Sequence, residues 1–324
     1  MKIRLGFVAM SLNLVDASPS KTITYTMLQK MPNDHARLYK LKKLTQENLD
    51  NTLRILTYAQ SNGIFLYRFT SKLVPLATHS NVINWDYVEQ FKDKFLSIGN
   101  FIKKHNMAVS AHPDHYTILN SPREEVIRSS FADLEYHHRI LEAMELNEDA
   151  KLVIHVGGAY SNKNKAIDRF KHNFSLLPSS IRARIILEND DKIYTAQDVL
   201  SICQDLSIPM VLDVHHYMCN PGNEKLQDLL FPIFETWRGQ NRPPKVHFSS
   251  PKSDKQFCHH APNINPDDFI SFIQMVYKFW GKDIDVMLEA KNKDVAVFNL
   301  IDNLKHYECV GLIPNKAIIK YKEI

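Results

Sequence analysis

The chain has 324 residues, 44% hydrophobic and 23% charged, so it carries enough apolar matter to bury a full core. Forty Lys and Arg against 36 Asp and Glu leave a net charge of +4, too weak a bias to establish a nucleic-acid partner by itself. Cys203, Cys219, Cys258 and Cys309 form no CxxC pair, which argues against a disulfide scaffold or a structural zinc ribbon.

No apolar run is long enough to cross a bilayer, and Met1-Lys2-Ile3-Arg4-Leu5-Gly6 lacks an apolar signal core. A soluble cytoplasmic chain is expected. In chain order, short β-branched or aromatic runs occur at Ile3–Val8, Ile64–Phe69, Met107–Ala111, Leu152–Val156, Ile185–Leu187, Met210–Leu212, Val246–Phe248 and Val286–Leu288. They read as strands buried on both faces of a parallel sheet. Helical periodicity predicts Thr45–Asn62, Trp85–His105, Pro122–Leu146, Lys165–Leu177, Ala196–Leu206, Lys225–Trp237, Pro266–Trp280 and Val295–His306 between and after them. Eight strands, each followed by a helix, give an α/β fold, a single TIM (β/α)8 barrel; a doubly wound open sheet is the alternative.

Ser11–Leu44 is expected to be a long loop. Within Lys21–Lys43 it carries Lys21, Lys30, Arg37, Lys40, Lys42 and Lys43 against Asp34 alone, with Tyr25 and Tyr39 interleaved. Such an arm suits a phosphate backbone, and a merely solvated loop has the same composition.

The chemistry gathers at the strand ends. His79 follows strand two, strand three runs into His112-Pro113-Asp114-His115-Tyr116, and strand four ends His155-Val156-Gly157-Gly158. Strand five ends Glu188-Asn189-Asp190-Asp191, strand six Asp213-Val214-His215-His216, strand seven carries Lys245-Val246-His247, and strand eight ends Glu289-Ala290-Lys291. In a closed parallel barrel these ends share one mouth. Any one of these residues serves equally well as a helix cap or a hydrogen-bonded structural group; six consecutive strands delivering one does not read that way. The mixed oxygen and nitrogen set suits Mn²⁺, Zn²⁺ or Fe²⁺, and Glu188 and Glu289 are placed to bridge ions. Lys245 is the awkward member, since its cation beside bound cations must point away, be neutral or be modified. His260 lies in a loop, and His259 reads as merely exposed. His105, His137, His138, His172 and His306 fall on helical stretches and read as surface residues. Multiple ions at a barrel mouth serve phosphodiester hydrolysis or sugar isomerisation, and composition does not choose between them.

The ordered series Arg4-Leu5-Gly6-Phe7 with Asn13, Leu76-Ala77-Thr78-His79, Ala111-His112-Pro113, His155-Val156-Gly157-Gly158-Ala159-Tyr160, Leu187-Glu188-Asn189-Asp190, Asp213-Val214-His215-His216, Lys245-Val246-His247-Phe248-Ser249-Ser250 and Leu288-Glu289-Ala290-Lys291 resembles the UV damage endonuclease family of bacteria and fungi. The resemblance runs to about His306, marking 1–306 as the endonuclease barrel and 307–324 as an extension of unknown structure. It implies a manganese cluster, with Zn²⁺, Co²⁺ or Mg²⁺ as substitutes. It also implies nicking of damaged double-stranded DNA immediately 5′ to cyclobutane dimers and 6-4 photoproducts, leaving a 3′-hydroxyl and a 5′-phosphate. By motif, the implied metal ligands are His79, His112, His155, Glu188, Asp213, His216, His247, His260 and Glu289. Glu188, Glu289 and Lys245 are the implied catalytic set, with Lys245 at the lysine that family members carry in carboxylated form.

Damage recognition in the family uses a Gln-Tyr pair after His-Pro-Gly, and the asparagine after strand one. Here Asn13 and Tyr116 match, Asp114 and His115 replace Gly and Gln, and Phe7 stands where a tyrosine is expected. Lesion contacts are therefore expected from Asn13, His115, Tyr116 and Phe7, in a monomer. An abasic-site endonuclease, a sugar isomerase on the same barrel, and a non-cutting binder of damaged DNA are the competing functions.

Overall fold

The β-branched runs become β1 (Lys2–Val8), β2 (Leu66–Phe69), β3 (Ala108–Ala111), β4 (Lys151–His155), β5 (Ile185–Glu188), β6 (Met210–Asp213), β7 (Lys245–Phe248) and β8 (Ile284–Leu288) in the computed structural model, which describes residues 1–82 and 85–323. Neighbouring strands pair in parallel from β1 round to β8. The ring closes because β1 bonds both ends of the series, Phe7 opposite Tyr67 of β2 on one side and Leu288 of β8 on the other. The expected TIM barrel is thus the fold.

Twelve helices lie among the described residues: α1 (Tyr25–Gln29), α2 (Asp34–Ser61), α3 (Tyr87–Gln90), α4 (Lys92–Lys104), α5 (Glu124–Ala143), α6 (Lys163–Leu176), α7 (Ser179–Arg182), α8 (Ala196–Leu206), α9 (Val214–Cys219), α10 (Leu226–Glu235), α11 (Pro266–Phe279) and α12 (Lys293–Leu304). Strand side chains alternate between faces, so Ile3, Leu5 and Phe7 of β1 pack outward, with Leu49, Ile55 and Leu56 of α2 in the same apolar layer. None of the helices is long and apolar enough to cross a membrane.

Three expectations are corrected. The long loop after β1 ends early: α2 begins at Asp34, where Asn33 caps it by accepting from the Ala36 N–H at 2.9 Å. Leu41 and Leu44 then continue its buried face, so much of the basic stretch lies on a helix. Lys21 is paired with Glu47 at 3.0 Å and Arg37 with Asp34 at 2.7 Å. The helix expected over Trp85–His105 is two, α3 and α4, parted at Phe91. His137 and His138 are buried on the inner face of α5 rather than exposed. His138 Nδ1 accepts from Arg184 Nε at 3.2 Å, and burial pushes the His137 imidazole down to about 3.

The extension is ordered. β9 (Val310–Leu312) and β10 (Ile318–Tyr321) form a hairpin, and β10 runs antiparallel to the first half of β1 with Ile3 opposite Ile319. β2 covers β1 only from Gly6 onward, so the hairpin satisfies backbone groups that the barrel leaves open. It docks where Gly63 has φ +74, and a Cβ there would lie 2.1 Å from the Asn315 carbonyl. Only glycine fits.

Candidate metal centre

The carboxyl ends of β3 to β8 meet in one polar patch at the barrel mouth. His112, His155 and Glu188 each offer a ligand atom within 4.8 Å of the others, and so do Glu188, Asp213, His247 and Glu289. Glu188 belongs to both groups, so one carboxylate stands between two candidate ion positions. Alternation in each strand produces this: the polar residue at or next to the strand's end faces inward because the apolar residue before it faces the helices.

Asp213 shows how the backbone aims a side chain. It ends β6 and caps α9, with Oδ1 accepting from the His216 N–H at 2.7 Å. Asn189, just after β5, accepts from the Asp213 N–H and donates to its carbonyl, both at 2.9 Å. His216 Nδ1 donates to the Asn189 carbonyl at 2.9 Å, leaving Nε2 as the ring's lone pair. His112 and His260 are held likewise through Nδ1, by the Pro113 carbonyl at 2.9 Å and the Glu289 carbonyl at 2.7 Å. An imidazole fixed through one nitrogen presents the other as a ligand. Asp190 serves the scaffold instead, accepting backbone N–H groups of Lys192, Ile193 and Tyr194. Gly157, at φ +114, lets the loop after β4 pass where a Cβ would meet Asn120 Oδ1 at 2.4 Å.

The electrostatics are those of crowded, water-poor charge. Burial would push the Glu188 carboxyl up, but His247 and His155 outweigh it and hold it well below the usual carboxylate range. His247 Nδ1 lies 2.6 Å from one Glu188 oxygen and His112 Nε2 3.2 Å from the other. Burial, with Glu188 and Glu289 nearby, drives Asp213 well above its ordinary value despite His216. Burial alone would lower His216, but Asp213 and Glu188 raise it to about 9. For Glu289 burial is overcome by Arg68 and His247, which bring it to about 2.

The donor set fits a metal on an observation independent of motif. Asp213 Oδ2, His247 Nε2 and His155 Nδ1 are buried without a hydrogen-bond partner among the described residues. Buried polar atoms are nearly always satisfied, and an orphan carboxylate oxygen among histidines and carboxylates is the signature of a cation position. Oxygen and imidazole donors without thiolate favour Mn²⁺, Fe²⁺ or Zn²⁺.

The other expected site residues are placed as follows. His216 Nδ1 lies 3.8 Å from Glu188, and His260 Nδ1 3.9 Å from Glu289, so both border the cluster. His79 joins neither ligand group; its ring stacks on Tyr25 at 4.3 Å and lines a cavity of about 320 Å³ with Val82, Trp85 and Tyr136. Lys245 lies one pleat below His247, opposite Asp285 of β8, and burial lowers its amine to about 8. His115 and Tyr116 are exposed and packed edge to face at 5.8 Å. Asn13 is exposed and donates to Asp294 at 3.1 Å. Phe7 does not suit the lesion contact expected of it: it has no exposed surface and packs on Tyr67 at 5.6 Å, so no base can reach its ring.

Two residues that hold the candidate site together escape a reading confined to strand ends. Arg68, inside β2, is buried and pairs with Glu289; a cation within Ile64-Phe65-Leu66-Tyr67-Arg68-Phe69 was the available signal. Asp294, fully buried at the start of α12, accepts from Ser11 Oγ at 2.6 Å and the Leu12 N–H at 2.8 Å as well as from Asn13. It sets the loop after β1, and sequence spacing gives no sign of that.

Barrel and cluster together define a TIM-barrel protein with a buried histidine–carboxylate centre suited to divalent ions at the carboxyl ends of its strands. A model of the family described as UV-endonuclease UvdE matches residues 3–322, and the chain belongs to that family. The UV DNA damage endonuclease of Bacillus pumilus (strain SAFR-032) is 42% identical over 308 residues, covering 94% of each chain. The crystal structure of SacUVDE is 31% identical, with a TM-score of 0.83 over 94% of this chain and 98% of the other. The 3-keto-D-glucoside 4-epimerase YcjR from E. coli shares the fold alone, at 12% identity and a TM-score of 0.54 over 94% and 99%.

Proposed function

We propose that this chain is a divalent-metal-dependent endonuclease that nicks DNA immediately 5′ to UV photoproducts, cyclobutane dimers and 6-4 photoproducts. The observation that carries the reading is the buried, unpartnered Asp213 Oδ2, grouped with Glu188, His247 and Glu289 at the mouth of a barrel of this family. Manganese is the ion proposed. His112, His155 and Glu188 would hold one ion and Glu188, Asp213, His247 and Glu289 another, with His216 and His260 at the border and His79 on the side of Tyr25. When bound, such ions supply Lewis-acid charge to a phosphate and acidify water beside it. The chain's own part is to hold Glu188 and Glu289 ionised, to aim Asp213 through the cap of α9, and to keep His112, His216 and His260 in one tautomer through their carbonyl partners. Carboxylation of Lys245 would turn a buried cation into an anion beneath the cluster; intact mass measured without acid tests it.

Lesion selection would fall to the exposed His115–Tyr116 pair, with Asn13 held in place by Asp294. A poorly stacked photoproduct costs less to displace than an intact step, and two adjacent rings fill the gap. The test is nicking of UV-irradiated, abasic and undamaged plasmid side by side, in Mn²⁺ or EDTA. Manganese-dependent nicking of irradiated plasmid is expected, with 3′-hydroxyl and 5′-phosphate ends. Cutting confined to abasic plasmid, or none with metal present, contradicts the proposal.

A further inference from the structure

A guanidinium sits directly on the carboxylate cluster. Among the described residues, Arg68 is the only lysine or arginine within 4.0 Å of Glu188, Asp213 or Glu289; the remaining partners are histidines. Its Nη1 donates to Glu289 Oε1, the same oxygen that His247 Nδ1 approaches at 3.2 Å. Glu289 Oε2 is left toward His260. Arg68 is 8% exposed, and its Nε has no hydrogen-bond partner. β2 holds it from below, with the Arg68 carbonyl accepting from the Ala9 N–H at 2.9 Å. A guanidinium is more weakly hydrated than an ammonium, so seating its charge in this poorly solvated place costs less.

Two like charges a few ångströms apart in a poorly solvated site repel strongly. A divalent ion that uses Glu289 therefore meets a cation already seated on that carboxylate. We infer that Arg68 is a positioning residue that occupies the counter-charge place of Glu289 in the metal-free chain, and that an ion binding there must displace it from Oε1. The inference rests on the metal reading proposed above and adds a role to a residue outside the ligand set. Arg68 keeps the Glu289 carboxylate paired and ordered while no ion is present. It also holds the affinity of that position below what three carboxylates would otherwise give, which keeps the ion exchangeable.

The test is calorimetric titration of Mn²⁺ into the metal-free full-length chain at pH 8, comparing wild type, Arg68→Gln and Arg68→Lys. Arg68→Gln keeps a donor and removes the charge; it is expected to bind Mn²⁺ at least ten-fold more tightly with unchanged stoichiometry. Arg68→Lys restores the charge and should return the affinity to within about threefold of wild type. A merely structural role for Arg68 would weaken binding in both variants. If Arg68→Gln does not fold, wild-type crystals grown with and without Mn²⁺ decide: the guanidinium should leave Glu289 Oε1 when the ion is bound. Unchanged or weaker binding by folded Arg68→Gln, or an intact Arg68–Glu289 pair in the metal-bound crystal, overturns this inference alone. Absence of Mn²⁺ binding by the wild type overturns the metal reading with it.

Discussion

Asp213 divides its work between two oxygens. Oδ1 caps α9 and so positions His216, while Oδ2 finds no hydrogen-bond partner among the described residues. Replacing such a residue removes a ligand and a cap together, so Glu188, which caps nothing, gives a cleaner test. Glu188→Gln keeps the volume and is expected to reduce nicking by more than the roughly 10–100-fold typical of losing an outer partner of a metal site; full activity would remove Glu188 from the metal set. At the rim, Tyr116→Ala should weaken binding of irradiated duplex by about 1–3 kcal/mol, the usual worth of one base–aromatic stack. Binding of undamaged duplex should hold steady, and an equal loss on both would assign Tyr116 to general DNA contact. On the buried face of α5, His137 makes a pH prediction. Its folded value of about 3 lies below the unfolded value of about 6.5, so the unfolded chain binds the extra proton, and this contribution is lost as pH falls below about 6.5. Urea unfolding at pH 7 and pH 5 should show His137→Gln losing about 2 kcal/mol less than wild type over that interval. Identical losses would mean that His137 is not neutral in the fold.

The elements differ in how plainly their residues announce them. All eight barrel strands are legible because burial on both faces selects unbroken β-branched runs, and α8 is legible to the residue because Thr195 and Asp198 make a capping box ahead of it. The start of α2 is obscured because basic residues over 34–43 read as a loop, although Leu41 and Leu44 continue the helical period. The terminal hairpin escapes because its strands have three and four residues, too short to show alternation. Its worth is measurable. Ile319 is fully buried and Tyr321 nearly so. A chain ending at Glu308 should lose at least about 3 kcal/mol of stability to unfolding by denaturant, from the side chains uncovered. Stability equal to that of the full chain would make the hairpin an ornament rather than part of the barrel.

At the scale of the molecule, residues distant in sequence become neighbours at one mouth because a closed parallel barrel brings its strand ends together. That convergence is why Glu188, Asp213, His247 and Glu289 were legible as a site from strand-end positions alone, and why Arg68, one residue inside its strand, was not. The buried His137 and His138 were misplaced for a related reason: a polar residue on a helix says nothing of which face it occupies until the helix is packed. Ions bound only by the folded chain add to its stability in proportion to RT ln(1 + [ion]/Kd), so Mn²⁺ at about a hundred times its Kd should add about 2.7 kcal/mol and EDTA should remove it. The most direct measurement is anomalous diffraction at the manganese edge from crystals of the full chain grown with Mn²⁺. Peaks bounded by Glu188, Asp213, His247 and Glu289, with Glu188 shared by a second peak beside His112 and His155, are the predicted result. A barrel mouth without an anomalous peak in saturating Mn²⁺ would contradict the account.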